Sequence, residues 1–379
     1  MKIRLFTPGP VEIPARVLRA LAQVPPHHRT DVFRETFKRV TRELQWLHGT
    51  HGEMFVFGAS GTGAMEAAVV NLVAPGDKAL VPTAGKFGDR WADILKAYGA
   101  SHQVLAFEWG AAIDPAAVEQ ALEKDPAIAT VFVTHSETST GTVHDLESIA
   151  RITRSRGKRL VVDGVTSVGV HVLPQDEWRV DCVVCGSQKG MMVPPGIGTV
   201  SLAPWAASSI EGVKLPRFYW DMIRMRKSAP QGETSFTPPV SLILALEEAL
   251  AMMREEGLEG VQARHRRVAL ALQAGAKTLG FRLFSRSPAH SVTALLPPEG
   301  VDAASLVKRL REAHGMIVAG GQDRLKGKII RIGHMGAYDL ADIHAVLGAL
   351  EECVVALGKP ATAGVGDAGA AASAAWQTA

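Results

Sequence analysis

The chain has 379 residues, more than one ordinary core organises, so a large folded unit with a smaller companion is expected. Hydrophobic residues make up 47% and charged residues 21%, which places the chain among folded globular proteins and away from disordered ones. Basic and acidic residues nearly balance, 41 against 38, and no run of like charge forms a stripe, which argues against nucleic acid as a partner. An N-terminal arm over residues 1–16 precedes a helical pattern from Asp31 to His48. From about residue 54 to 202, short Val/Ile-rich runs alternate with amphipathic stretches, the pattern of an α/β unit with a mostly parallel sheet. Strands are predicted at Lys78 to Pro82, Gln103 to Phe107, Ile128 to Thr134, Arg159 to Asp163, Asp181 to Cys185 and Gly198 to Leu202. Helices are predicted between them, at Gly63 to Val73, Gly88 to Tyr98, Pro115 to Glu123 and Leu146 to Arg156.

After Pro238-Pro239 come two long helical patterns, Val240 to Glu256 and Leu258 to Leu279, separated by Gly257. Strand-like Ser291 to Leu296 and Lys328 to Ile332 then alternate with helical Ala303 to Ala313 and Leu340 to Leu357, giving a smaller C-terminal α/β unit. These patterns divide the chain into a large domain over 17–256 and a small one over 257–358. Residues 359–379 are mostly Ala, Gly, Thr and Ser, too poor in apolar surface to repay ordering entropy, and are predicted to be disordered.

Met1 to Pro10 lacks the apolar stretch of a secretory leader, and no window reaches the length of a membrane span. Three cysteines are too few for a disulfide framework, and Cys182 and Cys185, although spaced like a redox or metal pair, read as buried thiols in a strand. A cytoplasmic location is expected. His27-His28 and the pair His48 and His51 have no carboxylate or cysteine at ligand spacing, so no metal is expected.

Gly58-Ala59-Ser60-Gly61-Thr62-Gly63 leads into a helix and presents free backbone N–H groups and two hydroxyls at its N-terminus, where a phosphate is well held. It reads equally as a capped glycine turn, and it matches neither a Walker loop nor a dinucleotide fingerprint. Asp163 ends an apolar strand, where open α/β sheets place ligands, though a carboxylate there also serves as a turn former. Lys189, in Gly186-Ser187-Gln188-Lys189-Gly190, follows another apolar strand; partial burial would favour its neutral amine, whereas a lone lysine is more often solvated. Together the three motifs match the phosphate, the pyridine nitrogen and the aldehyde of pyridoxal phosphate. Phe87 fits a stacking role or a core position at a helix entry, and the Glu137-Thr138-Ser139-Thr140-Gly141 segment puts a hydroxyl at a strand end.

These segments, with Thr7-Pro8-Gly9-Pro10, Pro194-Pro195-Gly196 and Arg331-Ile332-Gly333, resemble the class V aminotransferases of the fold-type I pyridoxal-phosphate enzymes, over about Phe6 to Val355. The alanine–glyoxylate and serine–pyruvate branch is the nearest in pattern. The resemblance implies that Lys189 forms the Schiff base with the cofactor and that Asp163 pairs with the pyridinium. It further implies phosphate contacts from Ser60, Gly61, Thr62 and Gln188, stacking by Phe87, and a phenolic-oxygen contact from Thr138. By the same resemblance Thr237 reaches the phosphate of a neighbouring subunit, Arg331 grips the substrate α-carboxylate, and Gly9 lies close over the substrate. Arg331 would otherwise read as a surface charge at the end of a strand. A homodimer with composite sites follows.

The implied activity is transfer of an amino group between alanine, serine or aspartate and glyoxylate or pyruvate. In phosphoserine aminotransferase relatives a His-Arg pair similar to His28-Arg29 comes from the other subunit to hold a distal acid. Arg29 is therefore a candidate substrate residue, or a solvated one with Asp31 as the helix cap. Gln188 stands where cysteine desulfurase relatives carry a His, which disfavours sulfur chemistry. Other readings are a pyridoxal-phosphate lyase, a nicotinamide dehydrogenase with atypical glycine spacing, and a non-catalytic complex subunit of the same fold.

Overall fold

The computed structural model describes residues 3–359 and 366–379. Strand β1 (Arg4–Phe6) and helix α1 (Ala15–Leu21) precede α2 (Asp31–His48), which Thr30, not Asp31, caps through its hydroxyl. The expected alternation then follows as β2 (Glu53–Phe57), α3 (Gly61–Leu72), β3 (Lys78–Thr83), α4 (Lys86–Ala97), β4 (Ser101–Ala106), α5 (Pro115–Lys124) and β5 (Ile128–Thr134). A small hairpin of β6 (Ser136–Glu137) and β7 (Thr142–Val143) leads to α6 (Leu146–Ser155), β8 (Arg159–Asp163), β9 (Cys182–Gly186) and β10 (Gly198–Leu202). Helices α7 (Met222–Ser228), α8 (Val240–Glu256) and α9 (Leu258–Thr278) connect to the C-terminal part. It contains β11 (Arg282–Leu283), β12 (Val292–Leu296), α10 (Ala303–His314), β13 (Met316–Gly320), β14 (Ile330–Gly333), α11 (Leu340–Ala356) and α12 (Asp367–Thr378).

The main sheet has the order β2-β10-β9-β8-β5-β3-β4, and only β10 runs against its neighbours. Its strands are apolar on both faces because helices cover both: Leu80, Val131, Val133, Val162 and Val183 pack toward α2 and α8, while Val81, Phe132, Val161 and Val184 pack toward α3 and α4. Because β3, β5, β8 and β9 run parallel, the sheet brings their carboxyl ends to one edge, where an α/β fold holds its ligand.

The second sheet has the order β1-β13-β14-β12-β11, so the N-terminal segment is not a free arm but an edge strand of the C-terminal sheet. Phe6 is fully buried in that unit's core beside Leu272, Val318 and Ile332. Three residues show no periodicity, which is why the sequence hid the strand.

The expected disorder of 359–379 is also corrected. Residues 360–365 lie outside the described residues, but 367–378 form α12, which packs along α9 and buries Ala368 and Ala372. Alanine is the best helix former, and Gly275 of α9 has no side chain to keep the Ala368 backbone away. Arg267 lies 5.0 Å from the Trp376 ring centre and closes the contact.

Candidate active site

Ser60 follows β2 and caps α3, its hydroxyl accepting from the N–H of Gly63 at 3.4 Å. Gly61 has to be a glycine, because a Cβ there would come within 2.8 Å of Val165 Cγ2. The first turn of α3 contains no acidic residue, so its N–H groups, one of them shared with the Ser60 hydroxyl, and the Thr62 hydroxyl offer an anion site with no carboxylate to compete. Gln188, after β9, adds an amide whose buried Oε1 has no partner among the described residues.

Asp163 is the last residue of β8 and is 4% exposed. Its Oδ1 accepts from the N–H of Val165 at 2.9 Å and its Oδ2 from the Thr134 hydroxyl at 3.3 Å. Burial pushes its pKa up to about 6 against these bonds and the nearby Arg90 and Lys189 charges. A buried acid held at that value is improved by a cation placed opposite it.

Lys189 is 9% exposed and donates through Nζ to the Pro8 carbonyl. Burial brings its amine down to about 8; Asp163 opposes the shift, and Arg331 and Arg90 add to it. Gly9 lies against it at a φ of +122°, leaving room for the amine that no side chain would leave.

Eight of the expected residues, Ser60, Gly61, Thr62, Phe87, Thr138, Asp163, Gln188 and Lys189, line one cavity. Arg331 is 5% exposed, not a surface charge, and donates from Nη1 to the Thr138 carbonyl at 3.0 Å and from Nε to the Gly320 carbonyl at 2.9 Å. Burial lowers its pKa to about 10, and Glu137 opposes that shift. Thr237 and Arg29 do not line this cavity. Thr237 lines a separate pocket with Gly58, Tyr219 and Phe236, and Arg29 pairs with Glu233 at the surface.

Sequence reasoning missed Arg90, which lines the cavity, donates from Nη1 to Thr62 Oγ1 at 2.9 Å and lies 4.6 Å from the Phe87 ring centre. A signal was present, since Phe87 and Arg90 stand three apart at a helix start and therefore share a face. Ser136 and Thr166 were missed as well, and the Thr166 hydroxyl donates to the Ser136 carbonyl at 2.8 Å.

A family model described as Aminotransferase class-V matches residues 4–340. The chain belongs to the class-V aminotransferases. It is 42% identical over 362 residues, 94% of each chain, to a protein of Synechococcus sp. strain PCC 6716 named soluble hydrogenase, small subunit. It is 36% identical to a serine–glyoxylate aminotransferase of Methylorubrum extorquens, covering 97% of this chain and 94% of the relative. Among solved structures it resembles a Thermus thermophilus aspartate aminotransferase of subgroup IV, with a TM-score of 0.88 and 35% identity over 93% of this chain and 99% of that one.

As a class-V aminotransferase it is a pyridoxal-phosphate enzyme of the fold-type I architecture. The residues present fit that cofactor: a helix N-terminus without an acid in its first turn, a Gln188 amide whose NH2 can donate, a buried carboxylate and a lysine whose amine burial brings toward its neutral form share one cavity. Among the described residues, no helix is long and apolar enough to cross a membrane.

Proposed function

We propose that the enzyme exchanges an amino group between a small amino acid, namely alanine, serine or aspartate, and glyoxylate or pyruvate. The observation that carries this reading is the meeting of Lys189, Asp163 and the Ser60–Thr62 cradle in one cavity, with Arg331 buried beside it. In this reading Ser60, Gly61, Thr62 and Gln188 hold the phosphate, Phe87 covers one ring face, and Thr138 meets the phenolic oxygen. When bound, pyridoxal phosphate supplies a protonated ring that draws electron density from the substrate Cα. Asp163 keeps the proton on the pyridine nitrogen, since a carboxylate beside it favours the charged ring.

Lys189 supplies the amine that holds the cofactor aldehyde, and its Nζ then accepts the proton of the substrate Cα and returns it. Arg331 binds the α-carboxylate through its fork, its orientation fixed by the Thr138 and Gly320 carbonyls. Gly9 and Pro8 cover the amine and keep water from it.

Two copies are proposed to share their sites. Thr237 lies beside Tyr219, Phe236 and Phe218, the last 65% exposed, an aromatic patch suited to burial against a second copy. Sedimentation is expected to give a dimer, and an active monomer at working concentration would overturn the shared site.

The name of the Synechococcus relative favours a second reading, a non-catalytic subunit of a complex. Supporting catalysis instead, every group the cofactor chemistry requires is present, and all three cysteines are free and buried. The deciding experiment measures amino transfer by the isolated chain from alanine, serine and aspartate to glyoxylate, pyruvate and 2-oxoglutarate. Turnover with glyoxylate or pyruvate is expected; colourless protein without turnover would favour the subunit.

A further inference from the structure

Helix α4 opens without a capping side chain of its own, because its N-cap is Gly85. A carboxylate from β6 takes that place. Glu137, 1% exposed, accepts through Oε2 from the N–H groups of Phe87 at 3.0 Å and Gly88 at 2.9 Å. Through Oε1 it accepts from the N–H of Ser139 at 3.0 Å and from the Ser139 hydroxyl at 2.6 Å. The same hydroxyl oxygen accepts from the N–H of Lys86 at 3.1 Å. Three of the four partners are N–H groups that can only donate, an arrangement that favours the anion at a helix N-terminus, while burial opposes it and raises the carboxyl's pKa. Gly85 packs so closely that an added Cβ would stand 2.6 Å from Ser139 Oγ.

What this carboxylate holds faces the cavity. Phe87, whose N–H it accepts, is a cavity wall, and Arg90 lies over that ring while donating to Thr62. Thr138, the next residue in the chain, lines the cavity too and gives its carbonyl to Arg331.

We propose that Glu137 is a positioning residue for the cofactor ring: its carboxylate fixes the first turn of α4, and with it the Phe87 face against which the ring lies. Glu137 does not line the cavity and acts through Phe87, so the inference rests on the reading of Phe87 as the ring's neighbour.

Glu137→Gln tests it at constant size, because one accepting oxygen becomes an NH2 that must face either the Phe87 and Gly88 N–H pair or the Ser139 N–H. Three quantities are read: visible circular dichroism per mole of bound cofactor, kcat and KM per mole of bound cofactor, and amide exchange over 86–91 in the cofactor-free chain. The expected result is exchange roughly tenfold faster at Phe87 and Gly88, from the loss of a charge-assisted bond. The visible circular dichroism weakens and kcat falls about ten- to a hundredfold, as a misplaced ring requires. KM for the amino donor hardly changes, because Arg331 keeps both of its carbonyls.

A Glu137 that merely stabilises the fold would give a lower melting temperature with parental circular dichroism and kcat per bound cofactor, which overturns the proposal. Phe87→Leu is measured in parallel and is expected to alter both signals. Parental values for Phe87→Leu would overturn the ring placement itself, whereas a changed Phe87→Leu beside a parental Glu137→Gln would overturn only the role of Glu137. If Glu137→Gln does not fold, Ser139→Ala removes the hydroxyl that joins Glu137 to Lys86. A smaller change of the same kind is expected there, and parental values overturn the proposal.

Discussion

The Lys189 amine donates to the carbonyl of Pro8, so a segment that begins as an edge strand of the small sheet ends against the lysine that lines the cavity. Gly9 makes this approach possible. An added Cβ would stand 2.5 Å from Lys189 Nζ and 2.6 Å from its Cδ, on a backbone at φ +122° that L side chains rarely adopt. Gly9→Ala is expected to lower cofactor attachment and to cut kcat/KM by about tenfold or more, since small misplacements at a reacting group are costly. Visible absorption and steady-state rates check it, and parental attachment would remove Gly9 from this role.

The same burial sets a pH dependence. With its amine at about 8, Lys189 is about one-tenth neutral at pH 7 and about nine-tenths neutral at pH 9, while a solvated lysine would still be only a few per cent neutral. Only the neutral amine attacks an aldehyde. Uptake of pyridoxal phosphate by the cofactor-free chain is therefore expected to quicken roughly ninefold from pH 7 to 9 and then level off. A rate still climbing in proportion to hydroxide above pH 9 would return Lys189 to an ordinary solvated value. Borohydride reduction followed by peptide mapping is expected to find the cofactor on Lys189 alone.

Asp163 predicts opposite signs for stability and activity. Its folded pKa, about 6, lies above the ordinary value of 3.8, so ionising it costs the fold nothing below pH 3.8 and increasingly more as pH rises through 6. Asn can still accept from Val165 N–H and donate to the Thr134 hydroxyl, so Asp163→Asn removes the charge without stranding a partner. In the cofactor-free chain at pH 7.5 the variant is expected to be about 1–3 kcal/mol more stable, with the gain vanishing near pH 4. Its amino transfer should fall about a hundredfold or more, since no carboxylate then holds the ring proton. Near-parental turnover would remove Asp163 from the pyridine nitrogen.

Much of this architecture is written locally. Ile128–Thr134, Arg159–Asp163 and Gly198–Leu202 stand where their apolar runs placed them, because a strand covered on both faces needs an unbroken run of such residues. Ser60, Asp163 and Lys189 were legible because strand ends and glycine turns mark the ligand edge of such a sheet. Glu137 was legible only as part of a motif. Its work depends on Phe87 and Gly88, some fifty residues earlier in the chain, and no local pattern reports that meeting. Strand β13 escaped notice as a five-residue run behind a glycine, and α12 because small residues pack only where a partner such as Gly275 is equally bare.

We propose that Arg29 sets the choice between acidic and neutral donors. It pairs with Glu233, which also accepts from Arg34 at 2.9 and 2.6 Å, while Arg34 reaches Asp31 at 2.9 Å. Two cations thus meet two carboxylates, and Arg29, with its side chain 48% exposed, has a counter-ion before any substrate arrives. Glu233 stands four residues before Thr237 in the chain, the residue proposed to reach a second copy. If Arg29 meets the partner's cavity, it can exchange Glu233 for the distal acid of aspartate or phosphoserine. A charge-assisted contact of that kind is worth about 1.5–3 kcal/mol, so Arg29→Ala is expected to cost acidic donors about ten- to a hundredfold in kcat/KM. Alanine and serine lack the distal acid and should keep their parental values. The measurement is kcat/KM for alanine, serine, aspartate and phosphoserine in the parent and in Arg29→Ala. An equal fall on all four, or none on any, would leave Arg29 as the partner of Glu233 and restrict the enzyme to small neutral donors.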